Sequence, residues 1–328
     1  VMGTTPNADW TDAAKTGQNA FTKTGEYIMT WDILIGDRTY SSWSLRGWLL
    51  FAGFETPVNV YHGRMYSDEL EALKTDFGAG RLVPQMRRGD VRVWDTLAMA
   101  ETLADENPAM WPSDPAQRAL ARAMTAEMHS GFGALRNDCT MNLRHAYEGF
   151  EPSDAVRKDV ARIEELWSTA HAMADGGPWL FGAYSIADVF YAPVATRIAT
   201  YRLPVGAVAA EYVKTTLSHL PLRQWRARGI AENYVQPGYD LELPRMPWPG
   251  PTAPAGRVIE GVDPINKTCP FSGKPVRADS IGFINGAPIG FCNTFCRDKA
   301  IADPGAWPEL SAMDGFCHAV EDRLAIDD

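Results

Sequence analysis

Apolar and polar positions divide the chain into stretches of different period. Residues 1 to 28 are polar, rich in Thr, Gly, Ala and Asn, without sustained apolar periodicity, and read as a tail. From Trp31 the period becomes that of a strand and then of a helix: WDILIG is a short apolar strand, and SLRGWLLFAG carries Leu45, Trp48, Leu49 and Ala52 at helical spacing, with Ser44 as the expected N-cap and Gly53 past the end. PVNVYH follows as a second strand and DELEALKT as a short helix. RLVPQMRR and VRVW form a hairpin around Gly89-Asp90, and DTLAMAETLADEN is a helix. This order, βαβ and then ββα, predicts one small sheet with helices covering it.

After NPAMWPSDP the period is helical almost throughout. The segments are AQRALARAMTAEMHSGFGALRND, SDAVRKDVARIEELWSTAHAMA, SIADVFYAPVATRIATY, VGAVAAEYVKTTLSHL and LRQWRARGIAEN. The expected organisation is a tail at 1–28, an α/β domain at 29–107, an all-helical domain at 112–233, a linker at 234–262 and a cysteine-rich module at 263–328. The linker reading rests on the six prolines of QPGYDLELPRMPWPGPTAPAG, which sustain neither a helix nor a central strand.

Composition narrows the partners. A length of 328 residues fits about two domains, and 45% apolar with 22% charged residues is ordinary globular usage. The formal charge of −10 has the wrong sign for neutralising nucleic-acid phosphates or docking on anionic lipid, so neither partner is expected. No apolar run approaches the length of a membrane span, and the first residues hold no uninterrupted apolar core of the secretory kind, which makes the cytoplasm the default address. Of five cysteines, Cys269, Cys292, Cys296 and Cys317 fall near the C-terminus, a local cluster that suits metal binding better than a disulfide framework.

Three spaced elements carry the candidate chemistry. Val83-Pro84 puts a proline at the start of a strand, where it removes a ladder donor. The alternatives are a trans proline at a sheet edge and a cis proline that turns the Val83 backbone toward a ligand main chain. Tyr40-Ser41-Ser42-Trp43-Ser44-Leu45-Arg46 spans a strand-to-helix turn, and Asp95-Thr96 opens the third helix. Over residues 29 to 233 these elements, in this order, resemble the glutathione S-transferases. The similarity is closest to bacterial members with an SSWSLR turn and, through them, to the zeta class with SSCSWR. The resemblance implies a thioredoxin-like N-terminal domain plus an all-α helical bundle domain, a homodimer, and a transferase that moves the thiolate of glutathione, its co-substrate, onto a small electrophile.

By that resemblance Ser41 stabilises the thiolate, with Ser42 in reserve and Tyr40 as a further donor, and Trp43, Val83, Pro84, Asp95 and Thr96 hold the ligand. A helix N-terminus favours an anion, and a thiol with a reference pKa of about 8.5 needs such help to ionise at neutral pH. The carboxylate of Asp95 would pair the ligand's ammonium, while the first-turn N–H groups would take its carboxylate. As an alternative, Ser41, Ser42 and Ser44 merely cap the helix, and Asp95 or Thr96 is an ordinary N-cap. Trp43 stands in place of the zeta cysteine, so the zeta isomerase reaction is not carried over, and Gly47 stands where relatives often have proline. Ser185-Ile186-Ala187-Asp188 is expected to be a structural capping box. His129 and Cys139 have weaker claims to a role.

The C-terminal module has Cys269, twenty-two intervening residues, Cys292-Asn-Thr-Phe-Cys296 and then Asp303-Pro304. It looks like a YHS or TRASH-type treble-clef-like module. Three thiolates suit tetrahedral Zn(II), with Cys317 or His318 as a fourth ligand. Cys269-Pro-Phe-Ser272 departs from the usual Cys-x2-Cys turn. Two alternatives to the transferase stand beside it: a glutathione-binding adaptor whose metal module senses or delivers a metal, and a glutathione-dependent reductase, which the missing cysteine in the turn disfavours.

Overall fold

The computed structural model describes residues 30–251 and 256–313, together with a strand pair, β1 (Ala20–Phe21) and β2 (Tyr27–Ile28). Most of the expected tail, and both Cys317 and His318, lie outside the described residues. The chain divides into two compact units, 1–141 with 150–216 and 142–149 with 217–328. None of the described helices is long and apolar enough to cross a membrane.

The first unit begins with a four-stranded sheet in the order β4-β3-β5-β6, where β3 is Trp31–Ile35, β4 Val58–His62, β5 Gln85–Arg88 and β6 Val91–Trp94. β3 and β4 are parallel, joined through α1 (Ser42–Ala52), and β5 runs antiparallel to both β3 and β6. Gly89, with φ of 57°, makes the β5–β6 turn. Within β3 the apolar run Ile33-Leu34-Ile35 does not alternate with polar residues because both faces are buried there. Leu34 packs with Leu70 and Phe77 of α2 (Asp68–Phe77). Ile33, one residue along and so on the other face, lies near α1, and α3 (Thr96–Glu106) follows β6. This is the thioredoxin-like arrangement, and the Val83-Pro84 bond before β5 is cis.

Gly47 has a packing reason. A Cβ there would stand 2.6 Å from Pro84 Cγ, so the glycine lets α1 seat against the proline. The N-cap of α1 corrects the expectation from the apolar pattern. Ser41, not Ser44, is the cap, its Oγ accepting from the Ser44 N–H at 3.2 Å. The Ser44 hydroxyl sits inside the first turn and accepts from the Gly36 N–H at 2.9 Å. A loop residue in need of a partner thus takes the serine that periodicity had placed at the helix end.

The helical part comprises α4 (Pro115–Ser130), α5 (Gly133–Asp138), α6 (Asp154–Met173), α7 (Ile186–Tyr201) and α8 (Ala207–Ser218). The single helix expected over AQRALARAMTAEMHSGFGALRND is two. Phe132 breaks it with φ of 54°, and a Cβ on Gly131 would meet the Glu127 carbonyl at 2.6 Å. All sixteen residues of α7 are buried, which explains its apolar character around the whole circumference. Its start is the expected capping box. Asp188 Oδ2 accepts from the Ser185 N–H at 2.8 Å and from the Ser185 hydroxyl at 3.0 Å, while Oδ1 takes Leu180 N–H and Tyr212 O–H.

The second unit contains α9 (Leu220–Ala231), the short pair β7 (Ala146–Tyr147) and β8 (Arg245–Met246), and a sheet in the order β11-β10-β9, with β9 Gly256–Ile259, β10 Ile281–Ile284 and β11 Ala287–Gly290. α10 (Thr294–Ala302) and α11 (Pro308–Ser311) complete it. Ala227 of α9 shares a core with Cys269, Phe291, Ala300 and Trp307. β9 lies in the stretch read as linker. Arg223 of α9 grips Asp303 with two hydrogen bonds, at 2.9 and 2.7 Å, which gives the Asp303-Pro304 step its anchoring function.

Five histidines among the described residues, His62, His129, His145, His171 and His219, all have a lowered pKa, with burial the first cause in each and His219 brought to about 4. The unfolded chain therefore binds more protons below pH 6.5, and stability falls as pH drops from there toward the folded values. Asp188, raised to about 6 by burial, opposes this as one group against five. Denaturant titration is expected to show lower stability at pH 5 than at pH 7, His219 alone contributing about 2 kcal/mol. Equal midpoints at the two pH values would contradict the burial argument.

Candidate functional site

In the first unit the strand-to-helix turn places Ser41 and Ser42 at the N-terminus of α1. Ser41 Oγ accepts from the Ser44 N–H and donates to Ser44 Oγ at 2.9 Å, so its proton is held within the turn. Ser42 opens the helix at N1, and its hydroxyl has no hydrogen-bond partner among the described residues. The backbone N–H groups of Ser42 and Trp43 belong to the first helical turn, which has no intrahelical acceptor for them. Tyr40, at 2% exposed, has almost no surface to offer a ligand.

One turn on, at i+4 from Ser42 and on the same helix face, stands Arg46. It is 1% exposed, and its Nε and Nη1 have no partner. Its guanidinium lies 4.1 Å from the Trp43 ring and 5.3 Å from the Phe190 ring. Arg136 lies 5.1 Å from the same Trp43 ring. Burial first, then the charges of Arg136 and Arg197, bring the Arg46 pKa down to about 9. The buried Arg46 therefore feels the charges of Arg136 and Arg197, opposed by that of Asp95, and such a cation without a hydrogen-bond partner favours an anion nearby.

Asp95 and Thr96 are where the third helix opens. Asp95 is the N-cap of α3, with φ of 74°, and its Oδ1 accepts from the Leu97 N–H at 2.8 Å. Its Oδ2 lies 3.1 Å from His129 Nε2, and the His129 ring stands edge-on to Trp43 at 5.3 Å. The histidine given a minor claim by sequence therefore joins Asp95 and Trp43. Desolvation lowers its pKa despite Asp95, which favours the neutral ring at pH 7. Thr96 is fully buried, with an unpartnered Oγ1. Val83 precedes the cis proline, and neither its N–H nor its C=O is hydrogen-bonded among the described residues. Gln85 shapes that loop from below, donating to the Gly80 and Leu82 carbonyls at 2.7 and 2.9 Å. Cys139 is buried and pushed up to about 12, which leaves it no nucleophilic thiolate at neutral pH.

In the second unit Cys269, Cys292 and Cys296 converge, their sulfurs all within 4.8 Å of one another. Asn293 caps α10 by accepting from the Cys296 N–H at 2.8 Å, which aims the first turn at the cluster. The Cys292–Cys296 sulfur distance is 3.9 Å, against an edge of about 3.8 Å for a tetrahedron with Zn–S bonds of ~2.3 Å. The donor set and the spacing both fit a soft divalent ion. Hydrogen bonding to the Cys296 thiol first, and to the Cys292 and Phe271 backbone, holds the Cys269 thiol below its usual range. Lys299 covers the cluster's apolar side, its Nζ 3.6 Å from the Phe271 ring and 4.5 Å from the Trp307 ring.

No family model matches the sequence, and no curated protein matches it. Solved structures similar to it include a glutathione transferase homolog from Burkholderia with bound glutathione, at 20% identity and a TM-score of 0.46 over 61% of this chain and 98% of that one. A Tau class glutathione S-transferase from mango, Mangifera indica, aligns at 14% identity and a TM-score of 0.46 over 60% of this chain and 92% of that one. The theta class enzyme from Xanthomonas axonopodis pv. citri with glutathione bound aligns at 21% identity and a TM-score of 0.40 over 61% of this chain and 96% of that one. Alignments at this level add nothing to what the strand order and helix order establish. On those, the chain has a glutathione-transferase-like fold, a thioredoxin-like sheet domain followed by helices, with a three-cysteine cluster in its second unit.

Proposed function

We propose that the protein is a glutathione transferase, binding glutathione at the N-terminus of α1 and passing its thiolate to an electrophilic small molecule. The observation that carries this reading is the partnerless Ser42 hydroxyl at the first turn of α1, with the buried, unpaired Arg46 one turn behind it. A hydroxyl donor, two orphan N–H groups and a buried cation without hydrogen-bond partners at Nε and Nη1 favour a thiolate over a thiol. Val83 offers a free main-chain donor and acceptor to a peptide ligand, and Asp95 with the first turn of α3 is suited to the zwitterionic end of glutathione. Ser42 is the preferred thiolate donor on this geometry, with Ser41 positioning the helix start. A homodimer belongs to the same reading. So does a zinc ion at Cys269, Cys292 and Cys296, which would supply cross-linking of the module there.

Titration calorimetry with glutathione tests the reading directly. Binding in the micromolar to millimolar range is expected, weakened by Asp95→Ala. No heat at millimolar glutathione would reduce the relationship to one of scaffold alone.

A further inference from the structure

We infer that Ser272 stands at the fourth corner of the three-cysteine site, so that the site has an open position able to take a small external thiol. The inference rests on the metal reading above and goes beyond it, because the sequence pointed to a structural ion with Cys317 or His318 as the fourth ligand.

The placement comes from the turn Cys269-Pro-Phe-Ser272. Cys269 C=O accepts from the Gly273 N–H at 2.9 Å, and Gly273 has φ of 67°, so the chain folds back tightly and presents the residue-272 side chain to the sulfurs. Ser272 Oγ donates to Cys292 Sγ at 3.2 Å and accepts from the Lys274 N–H at 3.3 Å. An oxygen ligand in a tetrahedron with three thiolates would stand roughly 3.5 Å from each sulfur, and the 3.2 Å from Ser272 Oγ to Cys292 Sγ is close to that spacing. In a turn with cysteine at both ends, the second thiolate would be here.

Serine at this corner changes the chemistry. A neutral hydroxyl is a weak ligand beside thiolates, and Ser272 is exposed while Cys269 and Cys296 are buried. Closed structural zinc sites have four protein ligands, whereas exchanging sites keep one position open. The soft donor set selects a soft entrant, a thiol that binds as thiolate and gives its proton to solvent. No electron transfer is involved.

The test uses the full chain loaded with Co(II), whose visible spectrum reports the number of thiolates. Wild type is expected to bind about one cobalt per chain with a three-thiolate spectrum that shifts on adding millimolar β-mercaptoethanol. Ser272→Ala should respond in the same way. Ser272→Cys should show about a third more sulfur-to-metal absorbance before any addition, one thiolate added to three, and no response to thiol. A wild-type spectrum unmoved by thiol with cobalt bound would overturn the open corner, as would Ser272→Cys failing to gain the fourth thiolate. Failure of wild type to take up cobalt or zinc would overturn the three-cysteine metal reading itself.

Discussion

Ser42→Ala is expected to lower kcat for thiol transfer on the order of a hundredfold, the usual effect of removing one donor aimed at developing negative charge. Its cost to stability should be near zero, since the Ser42 hydroxyl bonds to nothing among the described residues. Ser41→Ala should behave in the opposite way. It deletes the acceptor for the Ser44 N–H and the donor to Ser44 Oγ, and is expected to cost about 1 kcal/mol of stability. Its kcat should fall less than that of Ser42→Ala. Steady-state kinetics with glutathione and a panel of electrophiles, paired with denaturant titration, separates the two serines. A larger loss of kcat in Ser41→Ala, with glutathione affinity retained, would return the donor role to Ser41 and leave Ser42 as a helix-start residue.

Removal of metal is the second large effect. Zinc bound by thiolates in a small module is worth on the order of 10 kcal/mol at neutral pH, and most of it appears as folding free energy. The core beside the cysteines contains Phe291, Ala300, Trp307 and Leu310, and also Ala227 of α9. Chelation, or Cys292→Ser, is therefore expected to open protease sites both beyond residue 256 and within Leu220–Ala231, while glutathione binding in the first unit persists. The inclusion of α9 is what distinguishes this from a simple tail coming loose. Metal analysis of protein purified without chelator should give about one zinc per chain. Zinc-free protein that resists protease as the loaded form does would remove the metal from the account of stability. Loss of glutathione binding on chelation would show coupling between the units.

Much of the fold was legible because it follows from local periodicity. The apolar run of β3, the Gly89 hairpin, the 3.6-residue periods of α2, α6 and α8, and the Ser185–Asp188 box each depend on residues a few positions apart. The pattern Cys269, Cys292, Cys296 was legible for another reason: three cysteines at this spacing read as a local cluster, and their sulfurs do converge. Tertiary structure decided what depends on a partner from elsewhere in the chain. Three serines in one turn are equivalent to a periodicity argument, and it is the Gly36 N–H that takes Ser44 and leaves the cap to Ser41. The apolar face of α9 fixes that it is buried but not against what, and Ala227 packs with the cysteine core. Arg46 reads as one more surface charge until Trp43 and Phe190 close over it. Ser272 is twenty positions from the sulfur it contacts. Backbone hydrogen bonding and amphipathic period are short-range and are written locally in the sequence, whereas the charges around a buried guanidinium and the convergence of three sulfurs are sums over distant residues and exist only once the chain has folded.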